Sequence, residues 1–312
     1  MAKSTVPLGA PRRPYRSFFT DSTLWDRYEP RPGDIVISTP AKVGTTWTQR
    51  ITSVLVFQSP ELPEPLMSIS PWLDCTFVPV DAMLESLDRQ EHRRFIKTHL
   101  PIDALPIHPG VSYVVVARDP RDTVMSSHNH SLGLTRTDVP FRTPDGDDVH
   151  TPDMPAISED PRSYWRDYFT RSPFPWESNG WPFNSPTRHL ESWWPHRHAE
   201  NLLLLHYQDL LDDLDGQMRR VSAFLGIPVN EEIWPELVRA CTFDDMRTRQ
   251  DRVFPAPIAQ AVSGYEFFHK GRSGQWRGVA GAEETALYQA AVAPLADDLR
   301  AWLTREDPPD RA

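Results

Sequence analysis

Four short apolar runs restrict what this chain can fold into: DIVIS (34–38), RRFIKT (93–98), SYVVVA (112–117) and NLLLLHY (201–207). Runs without polar alternation are the pattern of strands buried on both faces. Between and after them lie stretches with helical character at 45–57, 121–129, 188–194, 216–225, 231–240 and 283–303. Strands alternating with helices predict an α/β fold, a central mostly parallel sheet flanked by helices. The 312 residues, 39% of them hydrophobic, supply a core for one domain spanning 20–303, with both ends frayed.

The bulk chemistry removes several function classes. A net charge of −10 argues against a nucleic-acid partner, because a phosphate backbone rewards a basic surface. Two distant cysteines, Cys75 and Cys241, give neither a disulfide framework nor a zinc cluster, which suits a reducing compartment. Arg12 and Arg13 are not followed by the apolar segment of an export signal, and no stretch approaches the length of a membrane span. A cytoplasmic protein with no membrane partner is expected.

Two segments break the rhythm. Residues 131–186 are rich in Pro, Asp and aromatic side chains, including Tyr164, Trp165, Trp176 and Trp181. A long aperiodic stretch in an α/β domain is usually functional, and this one is expected to be a lid over a binding site. The second, 249–278, is dotted with Gly, Arg and Lys.

The first apolar run breaks into TPAKVGTTWTQRI (39–51), where a helix begins. A strand, a Gly-bearing turn and the N-terminus of a helix form a cradle for an anion. A nucleotide kinase would place Lys and Ser/Thr directly after its last Gly; here Lys42 precedes Gly44, and Thr45 and Thr46 follow it. The kinase alternative therefore lacks its magnesium and triphosphate ending. Three further constellations point to anions. YVVVARDPRDTVMSS puts Arg118 after a strand and Ser126 two turns along the next helix, a fork plus a hydroxyl. FHKGRSGQWRG alternates Lys270, Arg272 and Arg277 with glycines, and RFIKTHLP places Lys97 and His99 at a strand end, where α/β sites gather.

Taken in order, TPAKVGTTW, KTHLP, ARDPRDTVMSS, HYQDL, CTFDDM and HKGRSGQW resemble the PAPS-dependent cytosolic sulfotransferases over residues 25–280. The resemblance implies a sulfuryl donor, 3′-phosphoadenosine 5′-phosphosulfate (PAPS), and the bisphosphate PAP as product. It implies that Lys42, Val43, Gly44, Thr45 and Thr46 form the 5′-phosphosulfate loop, with Trp47 beside the adenine. Arg118 and Ser126 match the 3′-phosphate clamp, Tyr207 and Phe243 the adenine contacts, and His269, Lys270 and Gly271 the C-terminal phosphate loop. His99 matches the catalytic base. Three positions depart from the pattern: Val43 replaces a small hydroxyl residue, His269 stands where Arg is common, and Cys241 where the adenine often meets a threonine. The family's dimerisation motif is absent from RGVAGAEETA, so the oligomeric state is left open.

The implied chemistry is positioning and charge stabilisation around an in-line displacement. Lys42 would meet charge on the leaving phosphate, His99 would take a hydroxyl proton, and Lys97 would share the stabilisation. No metal is required for this. The acceptor pocket is expected around Trp72, Phe77 and His130, beneath Trp176 and Trp181 of the lid. Aromatic walls suit a phenol or hydrophobic alcohol. An amine or a sugar-bearing acceptor remains open, through the acidic insert TPDGDDVHTPD. A non-catalytic nucleotide-binding protein of the same fold is disfavoured by the presence of both Lys42 and His99.

Overall fold

The computed structural model describes residues 5–6, 13–76, 78–135, 155–253 and 267–305. The four apolar runs become β1 (Ile35–Ser38), β2 (Phe95–Thr98), β3 (Ser112–Ala117) and β4 (Leu202–His206). They pair parallel throughout, in the order β2-β1-β3-β4. The continuous runs hide a period of two. Val36, Tyr113, Val115 and Ala117 face one apolar cluster, while Ile35, Ile37, Val114 and Val116 face the other. Both faces of the sheet are therefore covered, which is why no polar alternation is visible in the sequence.

The helix expected at 45–57 forms as Thr45–Phe57, and the others form with shifted ends: Pro120–Thr135, Pro186–Trp193, Leu214–Leu225 and Trp234–Ala240. The expected helix over 283–303 is two, Ala282–Val292 and Asp297–Thr304. Pro294 lies in the break between them, where a ring without an N–H cannot continue the ladder. Shorter helices escaped prediction, among them Val80–Arg89 and Phe243–Thr248.

The expected lid divides. Residues 131–135 complete the helix begun at Pro120, and 136–154 lie outside the described residues. Residues 161–170 are a helix whose Tyr164, Trp165, Tyr168 and Phe169 are buried in the larger core cluster. Asp160 caps it by accepting from the Ser163 amide, and Trp165 Nε1 donates to the Glu284 carbonyl at 2.9 Å. The aromatics read as a cover are here part of the core that the sheet packs against. The smaller cluster lies on the other face, around Ile51, Val54, Leu210, Val221 and Leu237.

Candidate active site

In the order β2-β1-β3-β4, chain connections leave β1 and β3 in opposite directions. The crevice beyond their carboxyl ends is the switch point where α/β sheets bind ligands. The loop after β1 and the residue after β3 meet there: Arg118 donates from one guanidinium nitrogen to the Lys42 carbonyl at 3.4 Å and from the other to the Arg272 carbonyl at 3.2 Å. Lys42 and Gly44 both take left-handed backbone, φ +69° and +113°. At Gly44 a Cβ would stand 3.0 Å from Tyr207 Cδ2, so the turn needs glycine on both counts. The turn exposes the first amides of the Thr45–Phe57 helix to one cavity of ≈ 680 Å³.

Lys42, Gly44, Thr45, Thr46 and Trp47 wall one end of this cavity, with Arg118, Ser126 and Tyr207 beside them. The Arg118 guanidinium carbon sits 4.1 Å from the centre of the Tyr207 ring, and Trp47 meets the same ring edge-on at 5.4 Å. Phe243, His269, Lys270 and Gly271 close this end. Gly271 has φ +59°, and a Cβ there would fall 2.4 Å from Phe243 Cδ2. The 271–275 turn is docked by Asp122, whose Oδ1 accepts from the Gly274 and Gln275 amides at 2.8 and 3.2 Å. Asp122 is this turn's anchor.

Lys97, His99, Trp72 and His130 line the other end. Lys97 Nζ lies 4.4 Å above the Trp72 ring, and the His99 ring meets that indole edge-on at 4.8 Å. His99 Nδ1 is 2.8 Å from the Thr39 carbonyl, an oxygen that only accepts. The neutral imidazole therefore carries its proton on Nδ1 and its lone pair on Nε2. Burial, reinforced by Lys97, holds His99 well below the usual histidine range, so it is neutral at pH 7. Burial lowers Lys42 to about 7, helped by the charges of Lys97 and Arg118. Burial lowers Lys97 to about 8 against the opposing pull of Cys75 and Asp74.

Like charges gathered in this way call for an anion. A second sign is Arg118 Nε, which is buried without a hydrogen-bond partner. With the cradle at Gly271, which admits no side chain, these features fit an adenosine bisphosphate with its charged ends at the Lys42 and Arg118–Lys270 sides.

Several expected residues stand elsewhere. Val43 is buried in the smaller core cluster, so only its backbone belongs to the loop. Cys241 is buried in the same cluster; its carbonyl accepts from Trp47 Nε1 at 2.7 Å, so it acts by aiming Trp47. Trp176 packs against Tyr15 and Phe174, and Trp181 lies beneath Arg171, neither of them among the cavity walls. Each packs against an aromatic or cationic neighbour instead. Phe77 lies outside the described residues. Unexpected walls are Phe18 and Phe19 from the N-terminal arm, Phe183, and Phe267, whose ring is 4.4 Å from Lys42 Nζ. The paired phenylalanines of SFFT and EFFHKG were the available signal.

A sulfotransferase domain model matches residues 32–298. A glycolipid sulfotransferase from Mycobacterium bovis is 35% identical over 307 residues, covering 92% of this chain and 93% of that protein. Rat sulfotransferase 1A1 is 25% identical, covering 86% of each. Among solved structures, retinol dehydratase in complex with retinol and PAP shares the fold with a TM-score of 0.65 at 21% identity, covering 87% of this chain and 83% of its own.

Proposed function

Because this chain belongs to the sulfotransferase domain family, we propose that it moves a sulfuryl group from PAPS to a hydroxyl of an amphiphilic small molecule. The single observation carrying this reading is the cavity that holds Lys42, Arg118 and Lys270 at one end and His99 at the other. Bound there, the donor would supply the activated sulfuryl group. Lys42 and the amides at 45–47 would hold the 5′ side, with Lys42 meeting negative charge on the leaving phosphate oxygen. Arg118, Ser126 and Lys270 would hold the 3′-phosphate, and Trp47, Tyr207 and Phe243 the adenine.

His99 Nε2, bearing the lone pair, would take the acceptor's proton. Its low proton affinity keeps it in the base form well into mildly acidic solution. The cavity walls are mixed: Lys97, Asn129 and His130 are polar, and Met67, Val78, Ala82 and Met83 are apolar. That mixture suits a hydroxyl head on an apolar body, and the glycolipid sulfotransferases among the relatives favour a sugar hydroxyl over a simple phenol.

A thermal-shift comparison without metal tests the donor half. PAP should raise the melting temperature, by an amount that mass action sets at roughly 2.7 kcal/mol for a hundredfold excess over Kd. AMP, lacking the 3′-phosphate, should do so far less. Equal shifts would remove the Arg118–Lys270 clamp. Radiolabelled transfer from PAPS to 2-naphthol and to octyl glucoside tests the acceptor half.

A further inference from the structure

Behind the acceptor end sits a carboxylate that is not among the cavity walls. Asp74 is fully buried. Both of its oxygens accept: Thr20 Oγ1 and Trp72 Nε1 donate to Oδ2 at 2.7 and 2.8 Å, and Trp25 Nε1 donates to Oδ1 at 3.0 Å. Its backbone carbonyl takes the Asp21 amide at 2.9 Å. Among the described residues no cation lies within ion-pair distance of it. Three neutral donors satisfy its lone pairs without cancelling its charge.

Such a buried charge needs a reason, and the geometry offers one. The indole that Asp74 holds is the ring that lies under Lys97 Nζ and against the His99 ring. Thr20 and Trp25 belong to the N-terminal arm, whose Phe18 and Phe19 wall the cavity. The same segment is stitched to β2 through backbone: the Lys97 amide donates to the Pro71 carbonyl at 2.9 Å, and the Leu73 amide to the Lys97 carbonyl at 3.3 Å. We propose that Asp74 is a positioning residue for sulfuryl transfer: it locks Trp72 against Lys97 and His99, ties that indole to the N-terminal arm, and places a carboxylate within electrostatic reach of Lys97. This rests on the reading of that end as the acceptor site.

The groups facing Lys97 are Asp74 and Cys75 from this turn, Lys42 from the loop after β1, His99 from its own strand exit, and His130 from the Pro120–Thr135 helix. Burial lowers its proton affinity, to a midpoint of about 8, against the opposing pull of Cys75 and then Asp74. Removing the Asp74 charge must lower it further, so that the ammonium is lost at a lower pH.

The chain makes this measurable. Its only lysines are Lys3, Lys42, Lys97 and Lys270. Reductive methylation with 13C-formaldehyde gives each a dimethylamine signal, that of Lys97 assigned from Lys97→Arg, and pH titration of the full chain reads its midpoint without any acceptor. Asp74→Asn should lower the Lys97 midpoint below its wild-type value. Trp25→Phe, which removes one donor and keeps the charge, should leave it in place. An unmoved midpoint in Asp74→Asn, or an equal fall in Trp25→Phe, overturns the proposal. Should Asp74→Asn not fold, Trp72→Phe cuts the link while keeping a ring near Lys97. It should retain the full PAP-induced thermal shift yet lose about tenfold in kcat on whichever of 2-naphthol or octyl glucoside the wild type sulfates, and unchanged kcat would overturn the link. Wild-type inactivity on both acceptors would count against the proposed reaction, whereas the lysine titration tests Asp74 separately.

Discussion

Lys42 should take up a proton when the product binds. In the free protein it titrates near 7 because burial and two neighbouring cations disfavour its charge. At pH 7 about half of the molecules therefore lack that proton. A bisphosphate placed against Lys42 favours the ammonium, so binding should draw in about half a proton from this group at pH 7. Lys97, near 8, adds roughly a tenth. The sign fixes the pH trend. Below about pH 6 the amine is already charged and uptake vanishes; above pH 8 uptake approaches one proton and affinity falls with rising pH. Calorimetric titration of PAP in two buffers of different ionisation enthalpy measures uptake directly. The phosphates, with second pKa values near 6, release some protons on meeting cations, so the quantity to compare is wild type minus Lys42→Met. A difference near half a proton at pH 7, shrinking at pH 6, is expected. Identical buffer dependence in the two proteins would refute the picture of a cation cluster waiting for an anion.

His99→Gln should cut kcat by roughly 10² to 10⁴ while keeping the PAP-induced thermal shift, because the ring contributes a proton transfer and not donor affinity; an active variant would remove the base. With His99 held well below the usual range, the wild-type kcat profile should show no acid limb at pH 6.5. Gly271→Ala should abolish most PAP stabilisation, since the new methyl would drive the turn off Phe243; unchanged affinity would show that the turn does not close the site. Trp176→Ala should lower the melting temperature, by less than the roughly 3–5 kcal/mol of a fully buried aromatic, and leave acceptor KM unchanged, because Trp176 packs on Tyr15 and Phe174.

Much of the cavity end proposed for the donor was legible because anion-cradle chemistry is local in sequence. A strand, a glycine turn and a helix start lie within one stretch, so Lys42, Gly44 and Thr45 could be read before any packing was known. The same holds for Arg118, one residue past β3. Val43 and Cys241 were placed at the site by their position in the motif, yet both side chains lie in the core; in the loop, Lys42 and Val43 point oppositely, one to the cavity and one to the core. The acceptor side was harder, since its walls come from 18–19, 72, 130, 183 and 267, segments joined only by folding. Trp176 shows the converse limit. An aromatic in an aperiodic segment looks the same in sequence whether it covers a ligand or fills the core, and only its contacts decide.

The two halves of the site are not independent, and the strand order is the reason. Because β1 lies between β2 and β3, the loop leaving it borders both the Arg118 side and the His99 side. Thr39, the first residue of that loop, uses both of its oxygens. Its hydroxyl pairs with Thr45 at 2.6 Å, at the start of the helix whose amides face the donor end. Its carbonyl fixes the His99 ring at 2.8 Å. Asn184, whose amide donates to the His99 carbonyl at 2.7 Å, holds the same residue from the opposite direction. The proposed base on the exit of β2 is thus aimed by the loop proposed to receive the sulfuryl donor. Any shift of that loop moves the lone pair on Nε2 along with the amide cradle, so substitutions at Thr39 should disturb turnover more than they disturb PAP binding.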